Sequence, residues 1–362
     1  MNTVLIAGAT GLIGEAALTH FAKADNWKVI ALSRRKPEPV CDPANFRHIT
    51  VDLCDLSSCR SACAELGAVT HIIYAAVAEQ AGLVSGWHDT EQMQLNLSML
   101  QNLLEPLRAT AANLQHVSLL QGAKAYGAHA GQIPPVPARE SAPRVQHDNF
   151  YWLQEDYLKT IAEEAAFTWT ILRPQVVVGS TSGAAMNPML AFAAYAEIRR
   201  AENKPFSFPG GALQLAETVD AELIAEALEW AATATAAREQ TFNITNGDVC
   251  AWRELWPALA AAFNIEVGPD EPMSLAAYLV ERQDIWEHLA QKNDLRTSNL
   301  KNFLGESHHY ADILLRANST ALQHPMLLST IKLRQAGFTA CRDSEAVLTR
   351  LIAEMKTRRF IP

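Results

Sequence analysis

The sequence predicts an α/β protein built on a doubly wound parallel sheet and followed by a mostly helical C-terminal lobe. Two observations carry that expectation. Short apolar runs alternate with amphipathic stretches through the first half of the 362 residues, the pattern left by parallel strands joined by helices that cover both faces of a sheet. Directly after the first apolar run stands Gly8-Ala9-Thr10-Gly11-Leu12-Ile13-Gly14, where a strand would turn sharply into a helix.

Strands are expected at Val4 to Ala7, Lys28 to Leu32, His48 to Val51, His71 to Ala75, His116 to Leu120 and Trp169 to Arg173. Helices are expected from Gly14 to Ala24 and from Glu91 to Leu107, where Leu95, Met99, Leu103 and Leu107 recur at helical spacing. The proline-rich stretch Gly131 to Pro143 must be a loop between the strand at His116 and a helix after Phe150. Such a loop is expected to overhang the switch region of the sheet, where ligands bind. After Gly179 the alternation gives way to apolar-rich segments near Met189 to Arg200, Ala221 to Thr235 and Trp252 to Phe263. The chain thus divides into a Rossmann-type part, residues 1–180, and a substrate-binding or capping lobe, residues 181–362, interleaved with it. Helical patterns around Leu275 to Leu289 and His308 to Leu315 lie within a stretch, 269–317, that is expected to cap the pocket.

Hydrophobic residues make up 49% and charged residues 19% of the chain, the balance of a compact globular protein. A formal charge of -9 is the wrong sign for neutralising a phosphate backbone, so nucleic acid is not an expected partner. No basic segment followed by an apolar run opens the sequence, and no apolar stretch reaches the roughly 20 residues that cross a bilayer. A cytoplasmic protein that does not engage membranes is expected, and a homodimer is compatible with the sequence. Cys41, Cys54, Cys59, Cys63, Cys250 and Cys341 contain no C-x-x-C pair, and the adjacent His308 and His309 have no spaced partners. Free thiols and no metal are expected.

Glycines at 8, 11 and 14 permit a tight turn, close approach of backbone to a pyrophosphate, and close packing of helix on strand, with the helix N-terminus facing the phosphates. Thr10, Leu12 and Ile13 belong to the same loop. At the end of the second strand an acidic residue would bind a ribose 2′-hydroxyl, whereas arginine accommodates a 2′-phosphate. The residues there are Ser33, Arg34 and Arg35, which suit NADPH. Asp52 and Leu53 follow the third strand, suited to the adenine amino group and ring, and the small Ala75 and Ala76 end the fourth and leave room for the cofactor.

Standard short-chain dehydrogenases carry Tyr-x-x-x-Lys on one helix, the lysine lowering the tyrosine pKa. Here Asn149-Phe150-Tyr151-Trp152-Leu153-Gln154-Glu155-Asp156 places Glu155 four residues after Tyr151, so the positive charge must come from elsewhere. Lys124, in Leu120-Gln121-Gly122-Ala123-Lys124-Ala125-Tyr126 just past the fifth strand, is the candidate. Gln121, on the same rim, is placed with Tyr151 in the cofactor site.

These two segments resemble the progesterone 5β-reductase and iridoid synthase family, atypical extended short-chain dehydrogenases with motifs of the form T-G-x-K-H-Y and N-F-Y-Y-x-x-E-D. Further matches are Ser33-Arg34-Arg35, Trp169 to Pro174, Phe206 to Gly210, Phe242 to Val249 and Met355 to Pro362, so the likeness covers nearly the whole chain. The resemblance implies an extended Rossmann domain with a helical lobe over the active site, and NADPH-dependent reduction of carbon–carbon double bonds conjugated to a carbonyl. It further implies that Val177 touches the nicotinamide through its backbone and that the partner is a small enone or enal. In such chemistry Tyr151, supported by Lys124, is the donor to the carbonyl oxygen. Departures at Gln121, Ala123, Ala125 and Trp152, and the lack of a bulky tryptophan from Tyr74 to Ala78, leave substrate size open. Two alternatives on the same scaffold are a nucleotide-sugar epimerase or dehydratase, which would need Tyr-x-x-x-Lys, and an NADP-binding redox sensor without catalysis.

Overall fold

The structure, a computed structural model, describes residues 1–38 and 42–362; Cys41 lies outside them. Its centre is a parallel sheet of seven strands. In chain order these elements are β1 (Asn2–Ala7), α1 (Leu12–Phe21), β2 (Trp27–Ser33), β3 (Phe46–Thr50), α2 (Leu56–Cys63), β4 (His71–Tyr74), α3 (Thr90–Thr110), β5 (His116–Leu120), α4 (Phe150–Ala165), β6 (Thr168–Pro174), α5 (Pro188–Ala201), α6 (Ala221–Thr233) and β7 (Gln240–Ile244). The spatial order is β7-β6-β5-β4-β1-β2-β3, so the chain reverses direction across the sheet between β1 and β4. A crevice opens at such a reversal, outside the carboxyl ends of the strands.

The continuous apolar runs are explained by burial on both faces. Val4 and Ile6 of β1 join a core with Leu18 and Phe21 of α1 and Leu223 and Leu228 of α6, whereas Leu5 and Ala7 join the core made with α2, α3 and α4. On α3 the buried face runs through Met93, Met99, Leu100, Leu103, Leu104 and Leu107. Leu95, expected on that face, is 40% exposed, because at that turn the buried place is taken by its neighbour Asn96, whose amide holds the Ala78 backbone.

The remaining helices are α7 (Trp252–Phe263), α8 (Leu275–Val280), α9 (Gln283–Asn293), α10 (Leu300–Leu304), α11 (Ser307–Leu315), α12 (Ile331–Gln335) and α13 (Ser344–Thr357). The lobe packs around α5, which Pro188 starts and whose last turn carries Arg199 and Arg200, both placed as helix-end preferences dictate. Stacked pairs Phe206–Trp256 and Trp286–Phe303, with centroids 4.2 and 4.7 Å apart, fill its core.

Two expectations are corrected here. The helix Ala221–Thr233 covers the sheet against α1 instead of joining the lobe, and the seventh strand, β7, follows it; the sheet therefore draws on residues well past 180. The loop Gly131 to Pro143 does not overhang the switch between β1 and β4. It is pinned beyond β6, where Ala138 bridges to Leu328 and the Glu140 carboxylate accepts the Asn243 N–H of β7 at 2.7 Å, because β5 lies next to β6 and β7 on that side. Cys54, Cys59, Cys63, Cys250 and Cys341 are free thiols, and no helix is long and apolar enough to cross a membrane among the described residues.

Candidate active site

The turn after β1 is built by close backbone approach. Gly8 has φ +84°, and a side chain there would stand 2.8 Å from the Ala76 nitrogen and 2.9 Å from the Ala75 carbonyl. A side chain on Gly14 would stand 2.1 Å from the Gly8 oxygen. The loop thus closes on Ala75 and Ala76 at the crevice. Gly11 caps α1 without a side-chain hydrogen bond, leaving the first amides of the helix for a ligand. This cradle, impossible with any residue bearing a Cβ, fits a dinucleotide pyrophosphate.

Around it, Arg34 and Arg35 are exposed and have no carboxylate within ion-pairing distance among the described residues. Ser33 is different. It is buried, and its hydroxyl donates to the Arg35 carbonyl at 2.6 Å and lies 3.1 Å from His48 Nε2, so it shapes the turn that presents the arginines. The Asp52 carboxylate accepts the Cys54 N–H at 3.0 Å, and the buried Leu53 uses its carbonyl to hold Asn102. Leu12 packs against Gly179, where a Cβ would be 2.6 Å from it, next to Val177, which pairs with Val219.

Tyr151 lies in the first turn of α4, 7% exposed, with its ring edge-on to Phe150. Asn149 caps that helix: its Oδ1 accepts the Tyr151 N–H at 3.0 Å and its Nδ2 donates to the Lys124 carbonyl at 3.1 Å. The phenol oxygen sits 3.2 Å from the point a Cβ on Gly122 would occupy, and the Pro174 carbonyl sits 3.4 Å from the same point. Gly122 is therefore a site residue that sequence reasoning left unnamed. Burial pushes the Tyr151 pKa up, the charge of Glu79 and the phenol of Tyr310 on α11 push the same way, and Arg173 opposes them. The phenol therefore holds its proton at ordinary pH.

Lys124 is held in a short turn, Ala123–Tyr126. Its ammonium lies 3.2 Å from Glu79 Oε1 and 4.2 Å from the centroid of Trp87. Burial lowers its pKa while Glu79 opposes that. The tryptophan beside Lys124 is thus Trp87, further along the connection that begins at Tyr74 to Ala78.

Gln121 departs from expectation. Its amide is fully committed, with Oε1 accepting from Arg173 Nε at 2.8 Å and Nε2 donating to the Tyr151 carbonyl at 3.2 Å and to Glu155 at 2.9 Å. Its side chain supports α4, with both amide hydrogens directed to protein partners. Glu155, the residue in place of the usual lysine, is the hub of this buried network, paired with Arg173 at 3.3 Å, Lys159 at 2.7 Å and Arg144 at 3.0 Å. Burial works to raise its pKa, but hydrogen bonds from Lys159, Gln121 and Arg144 hold it down, to about 2.

A parallel sheet in this order, a glycine cradle at its switch point and a buried tyrosine on the fourth helix define an extended short-chain dehydrogenase. The model of the NAD dependent epimerase/dehydratase family matches residues 4–245. The chain is 30% identical to the (S)-8-oxocitronellyl enol synthase of Antirrhinum majus, across 100% of this chain and 93% of that protein. It is 31% identical, with the same coverage, to the 3-oxo-Delta(4,5)-steroid 5-beta-reductase of Arabidopsis thaliana. Among solved structures it superposes on the UDP-glucose 4-epimerase of Thermotoga maritima, solved with UDP-glucose, with TM-score 0.68 at 15% identity over 98% of this chain and 99% of that one. The Thermus thermophilus UDP-glucose 4-epimerase complexed with NAD gives 0.64 at 19% identity over 98% and 99%. The chain belongs to the progesterone 5β-reductase and iridoid synthase-like family, oxidoreductases of the short-chain dehydrogenase superfamily.

Proposed function

We propose that the chain is an NADPH-dependent reductase of carbon–carbon double bonds conjugated to a carbonyl, acting on small enones or enals. The observation that carries this reading is the Tyr151 phenol. It is buried, it stands beside the bare Gly122, and its surroundings keep it protonated. A protonated phenol is the group needed where charge builds on a carbonyl oxygen, and a poor base for removing a proton from an alcohol.

Gly8, Gly11 and Gly14, with the free amides of α1, would hold the pyrophosphate; Arg34 and Arg35 would take the 2′-phosphate, and Ala75, Ala76 and the Val177 backbone would flank the nicotinamide half. NADPH held there would supply the hydride for the β-carbon. Tyr151 then donates a hydrogen bond to the oxygen that gains charge. Asn149, which ties the Lys124 carbonyl to the Tyr151 amide, fixes where that residue stands, and water delivers the proton to the α-carbon. The epimerase reading loses ground to Glu155, a buried anion in the place where those enzymes need lysine. The 5-beta-reductase and enol synthase likeness supports the reductase reading.

The test is oxidation of NADPH by the purified protein with 2-cyclohexen-1-one and a panel of linear enals, with product identification. Reduction of the double bond is expected, and Tyr151→Phe loses most of the rate, about 100-fold for removal of a transition-state donor. Absence of turnover across the panel overturns the reading in favour of a binding-only role.

A further inference from the structure

Glu79 reaches the active site from the connection after β4. Its side chain is 4% exposed, holds the Lys124 ammonium at 3.2 Å and accepts from Gln92 Nε2 at 3.1 Å. It is the one carboxylate within ion-pairing distance of Lys124 among the described residues. The ammonium is otherwise enclosed by aromatic rings, Trp87 at 4.2 Å and Phe150 at 5.8 Å. An isolated lysine in such surroundings surrenders its proton. Joined to a carboxylate it stays charged, but the pair is neutral overall and exerts little net field on a neighbouring phenol. An uncompensated ammonium beside a tyrosine does the opposite, driving it toward phenolate, the base used for alcohol oxidation.

We propose that Glu79 is a positioning residue of the reductase site: it holds Lys124 in the Trp87–Phe150 cleft as a neutral ion pair and so keeps Tyr151 an uncharged donor to the substrate carbonyl. This deepens the enone-reductase reading and rests on it. The other groups facing Tyr151 are Tyr310 from α11 and Arg173 from β6, and Lys124 is faced by His129 from the loop after β5, which itself stands against His88 and His147. None of these supplies a second anion at neutral pH. Glu79 alone sets the balance of charge around Lys124.

Glu79→Gln keeps the shape and removes the charge. Loss of a nearby negative charge makes proton loss easier for both Lys124 and Tyr151, so the alkaline limb of kcat/KM for enone reduction moves to lower pH by about one unit or more. Glu79→Asp, which keeps the charge, restores most of that shift. A readout independent of turnover is the ultraviolet titration of Tyr151, taken as the phenolate absorbance that disappears with Tyr151→Phe: it moves to lower pH in Glu79→Gln. If folded Glu79→Gln matches the parent in both profiles, the proposal is overturned. If the parent reduces no enone yet the Tyr151 titration still shifts, the reductase reading fails and the electrostatic role of Glu79 stands. Should Glu79→Gln not fold, Glu79→Gln/Lys124→Met replaces it. With both charges gone Tyr151 titrates as in the parent, and ionisation about one unit lower overturns the proposal.

Discussion

The side-chain amide of Asn149 donates to the Lys124 carbonyl at 3.1 Å while its oxygen caps Tyr151. One residue thus joins the turn after β5 to the start of α4 and sets the spacing of the two candidate catalytic groups. Asn149→Ala should cost about 1 kcal/mol of stability as a lost helix cap and lower kcat more than it raises KM. Asn149→Asp separates the two roles. It caps equally well but cannot donate to Lys124, so a melting curve near that of the parent should accompany a kcat close to that of the alanine variant.

Gly122→Ala places a methyl 3.2 Å from the Tyr151 oxygen and 3.4 Å from the Pro174 carbonyl. Its backbone, φ 175°, is extended and accepts any residue, so the effect is confined to displacement of the phenol. A fall in kcat of about tenfold, with little change in melting temperature, is expected from a few tenths of an ångström of misplacement. A fall in stability without loss of kcat would place the phenol's freedom elsewhere.

Arg34→Ala combined with Arg35→Ala should weaken NADPH binding by about 2–3 kcal/mol, the loss of charge-assisted bonds to the 2′-phosphate, and leave NADH binding nearly unchanged. Fluorescence titration of each dinucleotide measures the two affinities directly. Equal losses would show that the arginines serve the fold or the shared adenosine.

Glu155 makes a pH-dependent contribution to stability. Its pKa is depressed in the folded protein to about 2 from an ordinary 4.5. The contribution is therefore full above pH 4.5 and fades as pH falls toward 2, and a shift of that size corresponds to about 3 kcal/mol. Urea midpoints measured across that window should fall steeply for the parent and more shallowly for Glu155→Gln. At neutral pH the same variant should be destabilised by about 3 kcal/mol or more, since Arg173, Lys159 and Arg144 lose their common anion and Arg173 is itself buried.

Elements governed by local pattern were legible in the chain. The glycine loop and all six expected strands stand within one or two residues of their expected positions, because each is a short apolar run bounded by turn residues. β7 escaped notice because Gln240-Thr241-Phe242-Asn243-Ile244 is half polar, as an edge strand can be, and pairs with β6 across an intervening helix-rich stretch. Glu79, Gly122 and the Glu155 network were hidden for a related reason. Glu79 and Lys124 are 45 positions apart, and Gln121 and Glu155 are 34, so nothing in local spacing announces them. Glu155 could be seen to exclude a standard dehydrogenase, but not that it would organise three cations. Tyr310 arrives from still further along, on α11.

The strand β7 also decides how the molecule can be cut. The chain leaves the sheet after β6, builds α5, returns to lay down α6 and β7, and departs again for the helices from α7 onward. A fragment ending at residue 180 would keep the glycine cradle and Tyr151 but expose the β6 edge and strip α6 from α1, leaving an open row of backbone donors and acceptors that invites strand-to-strand aggregation. The cofactor half is not a detachable module. Any shortened version that stays soluble must run past Ile244.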